Sequence, residues 1–158
     1  MAETISQPSI VSHSTLRVGT HTATQFIDVT DELQALVARA GLRVGIVNLQ
    51  SLHTTAAVVL NEHEPLLLAD LSRLLDRVAP QDDEYQHDDA SRRTVNCVPG
   101  ERANGHSHCR ALLLTSGICL NVLEGRLQLG RWQRVFFVEL DGPRPRELSV
   151  VLLGEIGQ

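Results

Sequence analysis

"ICLNVLEGRLQLGRWQRVFFVELDGPRPRELSVVLLGE" (residues 118–155) decides the fold class. β-branched, aromatic and leucine-rich runs alternate in it with two turn signals, Glu124-Gly125 and Asp141-Gly142-Pro143. The runs ICLNVLEG, RLQLGRWQRVFFVEL and ELSVVLLGE therefore read as strands. Links this short join antiparallel neighbours, because a parallel pair needs a crossover of a dozen residues or more. The chain is expected to be α+β: one compact domain with a mixed, largely antiparallel sheet packed against two to three helices, not a doubly wound fold.

Upstream, "SIVSHSTLRVGTHTATQFIDV" (residues 9–29) alternates apolar and polar residues around Gly19, as two strands or a bent hairpin would. Thr30 as N-cap, the stripe Leu33, Leu36, Val37 and Ala40, and a closing Gly41 predict the first helix. "LRVGIVNLQ" (42–50) and "SLHTTAAVVLNE" (51–62) are extended, the second with both faces apolar. From Glu64 a helical face of Leu67, Leu68, Leu71, Leu74, Leu75 and Val78 runs until Pro80. Residues 81–105 are polar and aperiodic, a loop long enough to be functional. A third helix is expected from about Ser107 through Thr115, closed by Gly117.

With 158 residues the chain suffices for one core, and residues 1–9 are expected to form a flexible N-terminus ahead of a domain over 10–158. Asp+Glu 19 against Lys+Arg 14 leaves no basic footprint for nucleic acid or anionic lipid. No apolar run approaches the ~20 residues of a membrane span, and the N-terminus has no secretory pattern, so a cytoplasmic protein is expected. Cys97, Cys109 and Cys119 fit neither a C-x-x-C site nor a disulfide framework and read as packing or bystander thiols.

The chemistry-bearing residues are histidines in polar company. His53 opens an apolar strand and is followed by Thr54 and Thr55; a core histidine bonded to a carbonyl would look the same. His87 lies beside Asp88, which could fix its tautomer. His106 and His108 sit about 200° apart on a helix, so one is expected outside it, and His108 in the first turn would lie beside N–H groups that attract phosphate. If they converge, His53, His87 and His108 supply three neutral nitrogens for a zinc-like ion with a position left open. Arg144 and Arg146, around the Asp141 turn, could grip phosphate, although a charged hairpin tip looks alike.

In their order, LHTTAAVVLNE, YQHDD, NGHSHCRALLLTSG, EGRLQLGRWQ, ELDGPRPR and VVLLGE resemble the YjbQ-like proteins, also called the secondary thiamine-phosphate synthase family. The resemblance covers nearly the whole chain. It implies an α+β fold assembled as a homotrimer, and a polar site whose histidines hold a divalent metal, zinc or, on a diphosphate substrate, magnesium. It carries His53, His87 and His108 over as ligands, with His106 as auxiliary because many relatives differ there. Asn61-Glu62 match the family's N-E pair and Glu139, Asp141 and Arg144 its turn, with Glu62 or Asp141 orienting a ligand or handling a proton. The implied activity joins hydroxymethylpyrimidine diphosphate to thiazole phosphate with loss of pyrophosphate. The alternatives are a non-catalytic metal- or anion-binding homotrimer and a metal-dependent hydrolase.

Overall fold

The computed structural model describes residues 9–157. The expected flexible N-terminus falls, except for Ser9, outside these residues, and Ser9 already begins a strand. Strands β1 (Ser9–Gly19), β8 (Pro145–Ile156), β3 (Leu42–Ser51), β5 (Gly117–Leu123) and β6 (Arg126–Leu127) form one sheet in that order. A second sheet has the order β2 (Gln25–Asp28), β7 (Gln133–Glu139), β4 (Ala56–Glu62). Every ladder is antiparallel. The α+β class stands; the expected single sheet resolves into two, and the segment 9–29 supplies one strand to each instead of a hairpin.

Alternation along the strands builds the core between the sheets. Leu148, Val150 and Leu152 of β8 meet Val47 and Leu49 of β3, Val135 and Phe137 of β7, and the buried face of α1 (Thr30–Ala40). The other side of the small sheet, Ala57, Phe136 and Val138, is covered by Leu75 of α2 (Pro65–Val78) and by Leu140. Both faces of the AAVVL run are thus covered where the strand begins, as its composition predicts.

Local expectations differ in instructive ways. Thr30 is not a cap: its N–H donates to Asp28 Oδ1, and its Oγ1 accepts from Val135 N–H at 2.8 Å, stitching α1 to β7. Gly41 closes α1 in the left-handed conformation, φ 65°. In α2 the Glu64 carboxylate accepts from the N–H groups of Leu66 and Leu67, but the predicted apolar face is only partly used, and Leu74 and Val78 stay exposed. Helix α3 spans Gly105–Leu113, so both His106 and His108 lie inside it.

The strand crossings gather at one end of the molecule. There β1 passes to β2, β3 to β4 and β7 to β8, each crossing from the large sheet to the small one or back. The ladder partners Gly19↔Pro145, Ser51↔Leu148 and Ala56↔Glu139 bring the crossings together.

Candidate functional site

Where strands leave a sheet, ladder hydrogen bonds run out and buried polar groups need other partners. Glu139 supplies them. Fully buried, it accepts from Arg146 through both oxygens (2.6 and 2.5 Å), from the N–H groups of Asp141 and Gly142 (2.9 and 3.2 Å), and lies 3.1 Å from the Thr20 hydroxyl. Arg146 also reaches Thr55 Oγ1 at 3.1 Å. Burial pushes the Glu139 carboxyl up, but Arg146 and the two backbone donors outweigh it and hold its pKa below the ordinary value. It stays ionised. The expected phosphate grip of Arg146 is thus spent on a structural ion pair.

The polar loop folds back onto α3. Asp88, in a 3-10 turn at Gln86–Asp88, places Oδ1 2.9 Å from the N–H groups of both Asn104 and Gly105. Two expectations change. The α3 N-terminus is already met by a carboxylate and is not a free phosphate cradle, and Asp88 holds the helix instead of fixing the His87 tautomer. A Cβ on Gly105 would sit 2.4 Å from Tyr85 Cβ, so the turn packs against the helix start without room for a side chain. In consequence His87 meets His108 edge-on, ring centroids 4.6 Å apart. Asp88→Ala is expected to cost about 1–2 kcal/mol in urea unfolding and to shift the His108 ring proton resonances as His87 departs.

His53, Thr54, Thr55, His87 and His108 line one cavity of about 430 Å³, together with Asp141, Arg144 and Arg146. The motifs of four distant segments therefore meet. Yet the imidazoles do not form one three-nitrogen centre. His53 Nε2 accepts from Glu147 N–H at 3.0 Å, which leaves Nδ1 as its N–H donor. Burial, then the Arg146 charge, keep its pKa below the ordinary value. Among the described residues no three His, Cys, Asp or Glu side chains come together as an ion requires. The three-histidine zinc site is not matched, because the backbone of β8 already occupies one of its nitrogens.

Three chosen residues lie elsewhere. Asn61 and Glu62 end β4, roughly 20 Å from Thr55 at ~3.4 Å per residue. His106 is buried and does not line the cavity: Ser107 Oγ gives its proton to Leu140 O (2.7 Å), so it accepts from His106 Nε2 at 3.0 Å. Burial, then Arg110, lower the His106 pKa from 6.5. The unfolded chain therefore binds the proton first, and this stability, complete above pH 6.5, is lost as pH falls through the folded value. His106→Gln keeps a donor and cannot charge, so its melting temperature is expected to fall less than wild type between about pH 7.5 and about pH 5.

Sequence reasoning passed over Asn104 as a cavity residue and the anchoring roles of Asp88 and Glu139. The last had a signal, a carboxylate closing the apolar run FFVEL. Arg110 was missed as well: buried, it ties α3 to Ala79 O, Asp76 and Thr24. The three cysteines are exposed and free, bystanders instead of packing groups.

The fold and the pocket define a class, an antiparallel two-sheet α+β protein with a histidine- and arginine-lined cavity at the sheet crossing. Its relatives make that class specific. Residues 14–155 match the family described as "UPF0047 protein YjbQ-like". A UPF0047 protein of Methanothermobacter thermautotrophicus is 37% identical over 131 residues, 83% of this chain and 84% of its own. A crystal structure of a YbjQ-like protein of unknown function from Sulfolobus solfataricus superposes with TM-score 0.83 at 32% identity, over 94% of this chain and all of the other. A crystal structure of a hypothetical protein from Aeropyrum pernix K1 gives 0.81 at 30%, over 91% of this chain and 99% of the other. The chain belongs to the YjbQ-like (UPF0047) family. No helix among its described residues is long and apolar enough to cross a membrane.

Proposed function

We propose that the cavity binds and transforms a small phosphorylated compound, with thiamine-phosphate synthesis as the reaction to test. The observation that supports it is the wall chemistry. The lining carries three guanidinium groups, each already facing one carboxylate, Arg93 with Glu101, Arg144 with Asp141 and Arg146 with Glu139. Arg144 contributes a buried Nε without a partner, a donor ready for an anionic oxygen. His53 adds an imidazole N–H from the same wall.

In that reaction the methylene–oxygen bond of hydroxymethylpyrimidine diphosphate breaks, pyrophosphate leaves with the electron pair, and the thiazole nitrogen forms the new C–N bond. Charge builds on pyrophosphate, where prearranged donors lower the barrier. Arg144 Nε and the His53 N–H fit that duty. Burial, then His87, hold the His108 pKa below the ordinary value, so its imidazole adds no fixed charge to the wall. His87 and His108 are the residues that would hold a zinc or magnesium ion, which would supply positive charge to the leaving phosphates.

Arg144→Ala is expected to weaken pyrophosphate binding at least about tenfold, the scale of one charge-assisted hydrogen bond, in calorimetric titration. Turnover of the two precursors, measured with EDTA and with added zinc or magnesium, tests the named activity; none under any condition removes it. We also propose self-association as a homotrimer. Leu112 of α3 and Leu66 of α2 are 85% and 76% exposed, and light scattering at the monomer mass would overturn this.

A further inference from the structure

Four buried side-chain polar atoms among the described residues have no hydrogen-bond partner: His87 Nε2, Asn104 Oδ1, Asp141 Oδ1 and Arg144 Nε. All four belong to residues lining the one cavity described above. Unpaired buried polar atoms are rare, and four around a single space describe what fills it.

Their polarity is unequal. Asn104 and Asp141 are each 6% exposed. Asn104 Nδ2 lies 3.4 Å from Asp141 Oδ2, which also takes Arg144 Nη2. Turning the amide over would set oxygen against oxygen, so its orientation is fixed and Asn104 Oδ1 remains an open acceptor. Asp141 Oδ1 is a second. A phosphate oxygen is an acceptor too and would be repelled there, whereas Arg144 Nε suits it. A metal ion is a poor match for the oxygen pair. The Asp141 charge is already answered by Arg144, and among the described residues no group of three acidic, imidazole or thiol side chains comes together to hold an ion.

We infer that the occupant is bipolar, with an anionic phosphate toward Arg144 and a hydrogen-bond donor group, an exocyclic amine or adjacent hydroxyls, against Asn104 Oδ1 and Asp141 Oδ1. This deepens the phosphate reading of the preceding subsection and rests on it. The acceptor pair is the selective element, because a compound without donors leaves two buried oxygens unpaired.

The test uses the full chain in calorimetric titrations with matched probes, in EDTA. A phosphorylated 4-aminopyrimidine methanol is compared with its 4-deaminated analogue, ribose 5-phosphate with tetrahydrofurfuryl phosphate, and pyrophosphate serves as the donor-free reference. At least one donor-bearing probe is expected to bind about tenfold or more tighter than its partner, and which pair shows it separates amine from hydroxyl recognition. In Asn104→Leu that preference is expected to fall below about threefold. Equal binding within both wild-type pairs overturns the inference but not the phosphate reading. Failure of every probe, pyrophosphate included, overturns both. A preference that appears only on adding magnesium assigns the oxygens to a cation and overturns it. Should Asn104→Leu not fold, the wild-type pairs alone decide.

Discussion

Glu139→Ala is expected to lower the unfolding free energy by about 3–5 kcal/mol, the cost of leaving one member of a buried ion pair uncompensated. Arg146 is itself 4% exposed and would lose the carboxylate that meets its Nε and Nη2. The N–H groups of Asp141 and Gly142 would lose their acceptor at the same time, freeing the turn that carries Asp141 and Arg144. Urea unfolding measures the loss, and pyrophosphate titration of the folded fraction measures the damage to the cavity. Replacing both partners by apolar residues, Glu139→Leu with Arg146→Met, is expected to recover much of the stability but not the binding. If the single variant costs under about 1 kcal/mol, the anchoring role fails. The pH dependence has a definite sign. Because the folded carboxyl lies below 4.5, its contribution is complete above that pH and disappears on further acidification, so Glu139→Gln should flatten the acid limb.

Gly45→Ala should be among the most damaging single methyls in the large sheet. Gly45 faces Gly154 across the β3–β8 ladder, beside a register shift between Leu42 and Val44. A Cβ there would lie 2.1 Å from Leu153 O and 2.8 Å from Gly154 Cα. Both obstacles are backbone, so relief requires β3 and β8 to separate. Strand β3 is held on both sides, by β8 and β5, which leaves it little room. We expect a loss of about 3 kcal/mol or more, seen as a melting temperature lower by about 6–12 °C or as failure to fold. The reciprocal Gly154→Ala meets Val44 O at 2.2 Å from a φ of 152°, a conformation that suits glycine, and should cost as much. A fall under about 2 °C in either would show that the sheet accommodates what its geometry denies.

The antiparallel α+β class, the strand runs and the helices around Leu33 and Leu75 follow from the chain itself. Burial imposes period 2 on strands and 3.6 on helices whatever lies opposite, and Gly41 or Glu64-Pro65 marks an end by purely local geometry. The same locality explains why H-T-T, Y-Q-H-D and the ELDGPRPR turn stood out: polar side chains at the mouths of apolar runs need partners. Which partners they find is not local. His53 gives its Nε2 to a β8 amide 94 residues away, Asp88 reaches across to cap α3, and Arg146 turns inward to Glu139. Glu62, equally polar in the sequence, is carried by β4 to the opposite end. Only the two-sheet crossing decided these outcomes, because a side chain's free lone pairs and protons depend on neighbours that the packing of distant strands supplies.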